Sequence, residues 1–132
     1  MSGTIPDFHD GFFDGFLLTA LGNISLFLRS IEGARFIAVC YGVKQVNIHG
    51  VRSGNIIFEV RLLRSAELTP SLIRGMYDIS SVDSSAQEDR LLRSAQESNL
   101  SALLVTPSYG AECCILSERC EILTRAEWSP EW

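Results

Sequence analysis

Lysine is almost absent from this sequence. Lys44 stands alone, and the arginines are scattered singly along 132 residues. Binding to nucleic acid or to an anionic membrane needs clustered cations that neutralise phosphates, so composition argues against both partners. The balance runs the other way, to a net charge of −5 and a pI of about 4.9, which favours a basic protein surface as partner. Histidine is scarce too, with only His9 and His49. Long apolar runs are missing: residues 15–28 are uncharged, but they are too short to span a bilayer and Gly22-Asn23 interrupts them. A secretory leader is not expected, because the first residues lack a positive region and Asp7, Asp10 and Asp14 follow. A cytoplasmic location is the expectation, and with it four reduced thiols in Cys40, Cys113, Cys114 and Cys120. Adjacent cysteines on a strand face opposite ways, and no histidine lies near them, so neither a zinc site nor any other metal or cofactor is expected.

What remains is a globular composition, 46% hydrophobic and 20% charged, of a length that suits one domain over residues 1–132. The apolar excess over what a small core needs points to a subunit interface, and a homodimer is expected.

The residue pattern divides the chain in three. Residues 12–63 read as a β-meander. Within it, runs at 15–21, 24–31 and 35–41 are separated by Gly22-Asn23 and Glu32-Gly33, two turn signals. Gly42 and Gly50 bracket a short strand at 43–48. At 56–62, Ile56, Phe58, Val60 and Leu62 alternate with Ile57, Glu59 and Arg61, the pattern of a half-buried strand. Residues 69–99 read as helical. Thr69-Pro70 opens a short helix to residue 77, residues 80–85 form a polar connection, and Ser85 with Glu88 has capping-box spacing ahead of a helix over 86–99. Residues 103–124 return to β structure, with a turn at Pro107-Ser108-Tyr109-Gly110 and two segments around Ser117-Glu118. The fold class is α+β: a mainly antiparallel sheet of six to eight strands, bent or partly closed into a barrel, with one or two helices.

Chemistry concentrates in PDFHDGFFDGF, residues 6–16. As a calcium loop with Gly15 at the sixth position, it places Asp10 and Asp14 at positions one and five. It also places Phe12 at three and Leu21 at twelve, where oxygen ligands are required, so the loop fails. As an acid–base pair, His9 and Asp10 lack a third group in reach. The bland alternative is two Asp-Gly turns with Phe8, Phe12 and Phe16 as a core stripe. No catalytic residue is assigned. The candidate ligand-binding residues are His9, Asp10 and Asp14, with His49 or Tyr109 brought to them by folding. No phosphate loop, dinucleotide fingerprint or nucleophile elbow is present.

The stretches FHDGFFDGFLL, SLFLRSIEGARF, GNIIFEV and PSYGAE resemble a group of small bacterial proteins in which an FHDG or FHDA motif leads into a β-meander. The resemblance covers about half of the chain. Some members with FHDA resemble immunity proteins of contact-dependent toxin systems; this chain carries FHDG. The resemblance implies toxin-domain binding and carries over no catalytic residue. With no catalytic motif, an acidic composition and excess apolar area, the leading functional expectation is a non-catalytic protein-binding domain, of which an immunity-like role is one concrete version. The alternatives are a small-molecule binder or enzyme with a pocket near His9 and Asp10, and a structural subunit of a larger assembly.

Overall fold

The computed structural model describes residues 5–77 and 85–130. Most of the polar connection expected at 80–85 lies outside the described residues. Among the described residues eight main elements follow one another: β1 (Phe12–Leu18), β2 (Ile24–Arg29), β3 (Arg35–His49), β4 (Ile56–Leu63), α1 (Pro70–Met76), α2 (Ser85–Glu97), β5 (Ser101–Tyr109) and β6 (Glu112–Thr124), with a 3₁₀ turn at Ser65–Glu67 after β4. The strands form a closed antiparallel barrel in the order β1-β2-β3-β6-β5-β4, so the α+β fold is a six-stranded barrel with two helices.

The apolar character of both strand faces is explained by closure plus cover. A barrel this narrow holds side chains and little else. Its interior is filled by Phe8, Phe13, Ile24, Leu26, Leu28, Ala38, Cys40, Ile57, Leu103, Val105, Cys113, Ile115 and Cys120. Outside, α1 and α2 cover β5 and β6, where Met76, Ala95, Leu100, Ala102 and Leu116 form a second core with Leu92 and Cys114. Thr69 caps α1, accepting the Leu72 amide at 3.2 Å. Gln45 and Asn47 of β3 donate to the carbonyls of Met76 and Gly75 at the other end of α1. The C-terminal segment folds back over the third outer face, where Trp128 meets Phe27 edge-on at 5.3 Å.

Four expectations are corrected by backbone irregularities. Gly42 does not end a strand. It takes φ 62° inside the continuous β3, at a bulge where register with β6 shifts between Val43 and Gln45. The bulge is held by the β1–β2 turn: Asn23 accepts the Gly42 amide and the Gly22 carbonyl accepts that of Val43. β6 is likewise one strand. The suspected break at Ser117 is where pairing with β5 stops while pairing with β3 continues to Thr124. Pro107 and Tyr109 belong to β5, with the proline at a register shift against Ile57, a place where a missing N–H is tolerated; the turn is Gly110-Ala111. In β4 the same irregularity inverts the alternation, so that Ile57 is buried and Phe58 is 51% exposed.

The aromatic stripe changes membership for a related reason. Phe8 and Phe13 are buried, whereas Phe12 is half-buried and Phe16 exposed. The turn at Asp10-Gly11 accounts for it: Asp10 adopts φ 62° and the Gly11 amide returns to the Phe8 carbonyl at 2.8 Å, so the strand parity assumed from Phe8 onward does not hold.

Candidate functional site

The residues singled out by sequence are distributed over separate places. His9 and Asp10 sit on the turn before β1. The Asp10 amide donates to the Ile57 carbonyl at 2.9 Å, and the His9 amide donates to the Asp7 carboxylate. Their side chains lie 3.4 Å apart and are exposed, with the imidazole edge-on to Phe58 at 5.6 Å. His9 lines a shallow hollow of about 320 Å³ with Phe58 and Glu59.

Asp14 accepts a forked pair of bonds from Arg29 across the β1–β2 hairpin, at 2.9 and 3.0 Å. The guanidinium also stacks over Phe12 at 4.2 Å. The hydrogen bond to Asp14 holds the Arg29 proton even more tightly than usual.

His49 ends β3 opposite Glu112, and Nε2 lies 2.8 Å from Oε1. The pair stands at the mouth of a groove of about 310 Å³ between α1 and the sheet, lined also by Asn47, Ser71, Met76 and Cys114. Burial, with the neighbouring Glu112 charge, pushes the Cys114 thiol up to about 12, so beside the His49–Glu112 pair it stays protonated. Tyr109 is exposed at the end of β5 and lines neither histidine hollow. The two histidines thus belong to different hollows.

The thiols divide as strand alternation requires. Cys113 points into the barrel and Cys114 into the helical core. Cys40 and Cys120 face each other across β3 and β6 with sulfurs 3.6 Å apart. The hydrogen bond to Cys120, with burial behind it, drives the Cys40 thiol far above its ordinary range. All four cysteines are free. Among the described residues no group of three or more His, Cys, Asp or Glu is arranged to hold a metal ion, and no helix is long and apolar enough to cross a membrane.

The region with the most distinctive construction is the seam where the barrel closes. β1 and β4 share a single register pair, Phe12 with Ile56. Around it the Phe13 amide donates to the Asn55 carbonyl and the Ile57 amide to the Gly11 carbonyl. The Asn55 side chain binds the rest together. Its Oδ1 accepts the amides of Arg52 and Ala111 at 2.8 and 3.0 Å, and its Nδ2 donates to the carbonyls of Arg52 and Phe13 at 3.0 and 3.3 Å. Beyond this stitch β1 and residues 51–55 diverge around a cleft of about 280 Å³, with Phe13, Gly15, Phe16 and Arg29 on one side and Val51 and Arg52 on the other. Sequence reading missed Asn55 and Arg52. The only signal was Ser53-Gly54-Asn55 as a turn, and an asparagine in a turn commonly bonds nearby backbone.

No protein-family model, curated protein or solved structure matches the chain.

Proposed function

We propose that this chain is a non-catalytic protein-binding module that uses the β1 end of the barrel. One observation carries the reading. Phe16, Leu18 and Leu21 are 43%, 60% and 66% exposed together on a single hairpin, whereas the other exposed large apolar side chains among the described residues, Ile31, Val51, Phe58 and Tyr109, stand on four separate segments. Apolar groups grouped at a surface mark interaction sites. The net charge of −5 steers basic partners toward the acidic chain at long range. The resemblance of the FHDG stretch makes inhibition of a basic toxin domain the most specific form of this reading. Self-association into a homodimer through the same hairpin is its other form.

The test is a triple substitution, Phe16→Ser with Leu18→Ser and Leu21→Ser. These side chains contribute little to either core, so the variant should keep the wild-type unfolding midpoint and lose association, whether measured as a co-purified complex or as a dimer by light scattering. Wild-type protein that stays monomeric and partnerless at low and high salt would sink the reading. The groove below α1 supports small-molecule binding as a second reading. Ser71→Trp, at an exposed position of α1 that lines the groove, distinguishes the two: it should leave protein association untouched and abolish any ligand-induced rise in melting temperature.

A further inference from the structure

The protein-binding reading leaves open what the partner presents, and the backbone of β1 supplies an answer. Thr19 donates its amide to the Asn23 carbonyl, and Leu17 stands opposite Ser25 in the same register. In an antiparallel pair, residues bonded to the neighbour alternate with residues whose N–H and C=O point away from it. Phe16 and Leu18 therefore direct their backbone groups to the other side of β1. Among the described residues no strand pairs on that side beyond Phe12, because the only partner there, β4, meets β1 at Phe12 alone.

Exposed edges are normally protected by charge, proline, brevity or a bulge. The irregularity of β1 lies between Phe13 and Gly15, ahead of Phe16 and Leu18, and the strand has neither lysine nor proline. Its one charge, Asp14, is neutralised by Arg29. The cleft beside it holds a second arginine with a different status. Both backbone groups of Arg52 are bonded to Asn55. Arg52 lines the cleft together with Asp14, but that carboxylate is taken by Arg29, and no ion pair joins Arg52 to an acid among the described residues.

Resting on the protein-binding reading, we infer that the free edge of β1 receives an extended segment of a partner protein by strand addition, and that this segment carries an Asp or Glu side chain opposite Arg52. Main-chain bonds to Phe16 and Leu18 supply register, and the two apolar side chains supply contact area. The overall charge and the local charge act at different ranges: the acidic chain steers a basic domain, and Arg52 reads one carboxylate on it. A second copy of β1 fits less well. Laid antiparallel on the first, it brings Leu18 or Ala20 toward the cleft, and neither satisfies Arg52.

The test selects random linear peptides displayed on phage against the full chain, then measures synthetic versions by fluorescence polarisation. Enrichment of peptides with alternating apolar residues and one acid is expected. Phe16→Pro removes an outward N–H that the folded sheet does not use, and should weaken binding about tenfold. Arg52→Gln should weaken acidic peptides about fivefold and leave their amide analogues unchanged. Should Phe16→Pro disturb folding, methylating alternate amide nitrogens of the peptide tests the same bonds on unaltered protein and should abolish binding. Peptides that bind equally well after both changes would overturn strand addition and leave the protein-binding reading standing. A library that yields no enriched peptide overturns it as well, leaving the triple hairpin variant to judge the broader reading. A wild-type dimer that Phe16→Pro converts to monomer would assign the edge to a second copy and overturn the acidic-segment proposal.

Discussion

The barrel is held shut on opposite sides by two very different contacts. β3 and β6 pair from Phe36 opposite Thr124 to His49 opposite Glu112, with the interior packed on one face and helices or the C-terminal segment on the other. β1 and β4 pair at Phe12 and Ile56 only, with a few flanking backbone bonds and the carboxamide of Asn55. Each half of the ladder is supported by burial, whereas the seam depends on a handful of polar groups arranged around one side chain. Hydrophobic burial is spread over area and tolerates local disturbance. A hydrogen-bond cluster fails as a unit once its centre is removed, because the partners are left desolvated.

The ladder should show the larger loss from a single truncation. Ile115 is fully buried in the barrel interior, and Ile115→Ala should cost about 2–5 kcal/mol in urea unfolding. Asn55→Ala strips the seam of all four side-chain bonds and should cost about 2–3 kcal/mol. It should also do something Ile115→Ala does not, namely speed exchange of the Asp10, Phe13 and Ile57 amides while amides of β3 keep global protection. Equal protection of seam and ladder in the variant would break the comparison. Gly42→Ala probes the ladder's one weak point. The left-handed backbone there penalises a Cβ by about 1–2 kcal/mol, and the new methyl runs into the Glu118 carboxylate, which must move away from Lys44.

The smallest effect lies away from both contacts. Glu67 accepts the Arg64 amide and then its side chain, which holds its carboxylate below the ordinary range. A folded pKa below the unfolded one means that the contribution is complete above about pH 4.3 and is lost as pH falls through the lowered value. An NMR titration of the Arg64 amide should therefore show the 3₁₀ turn loosening only in acid, with the ladder amides unmoved. Loosening near neutral pH would contradict this assignment.

Much of this fold is legible in the sequence, because burial writes a period into it. Ile24, Leu26 and Leu28 alternate and are all buried. Thr69-Pro70 announces α1, and the cysteine parity separates Cys113 from Cys114. What is not legible are the places where the period slips. A bulge lets Gly42 look like a terminus when it is the middle of a strand. A left-handed Asp10 exchanges Phe12 for Phe13 in the core, and a register shift exposes Phe58. Each is a one-residue event that leaves composition untouched. The candidate site was less legible still. His9, Asp10, Asp14, His49 and Tyr109 were chosen for side-chain chemistry, while the seam is defined by which backbone groups go unpaired, and that depends on topology alone.

The strand order has a further consequence. Exchanging the first three strands for the last three turns β1-β2-β3-β6-β5-β4 into itself, so the connectivity has a two-fold symmetry that the residues do not share. Under that operation the ladder and the seam each map onto themselves, and both cross the symmetry axis. One of these axial contacts is saturated and the other nearly bare. The symmetry is broken further by the helices, which are inserted between β4 and β5 where the corresponding link between β1 and β2 is a tight turn. Each half thus meets the other along two inequivalent edges, and packing is concentrated on one of them, leaving the other as the face along which the barrel can take up a strand.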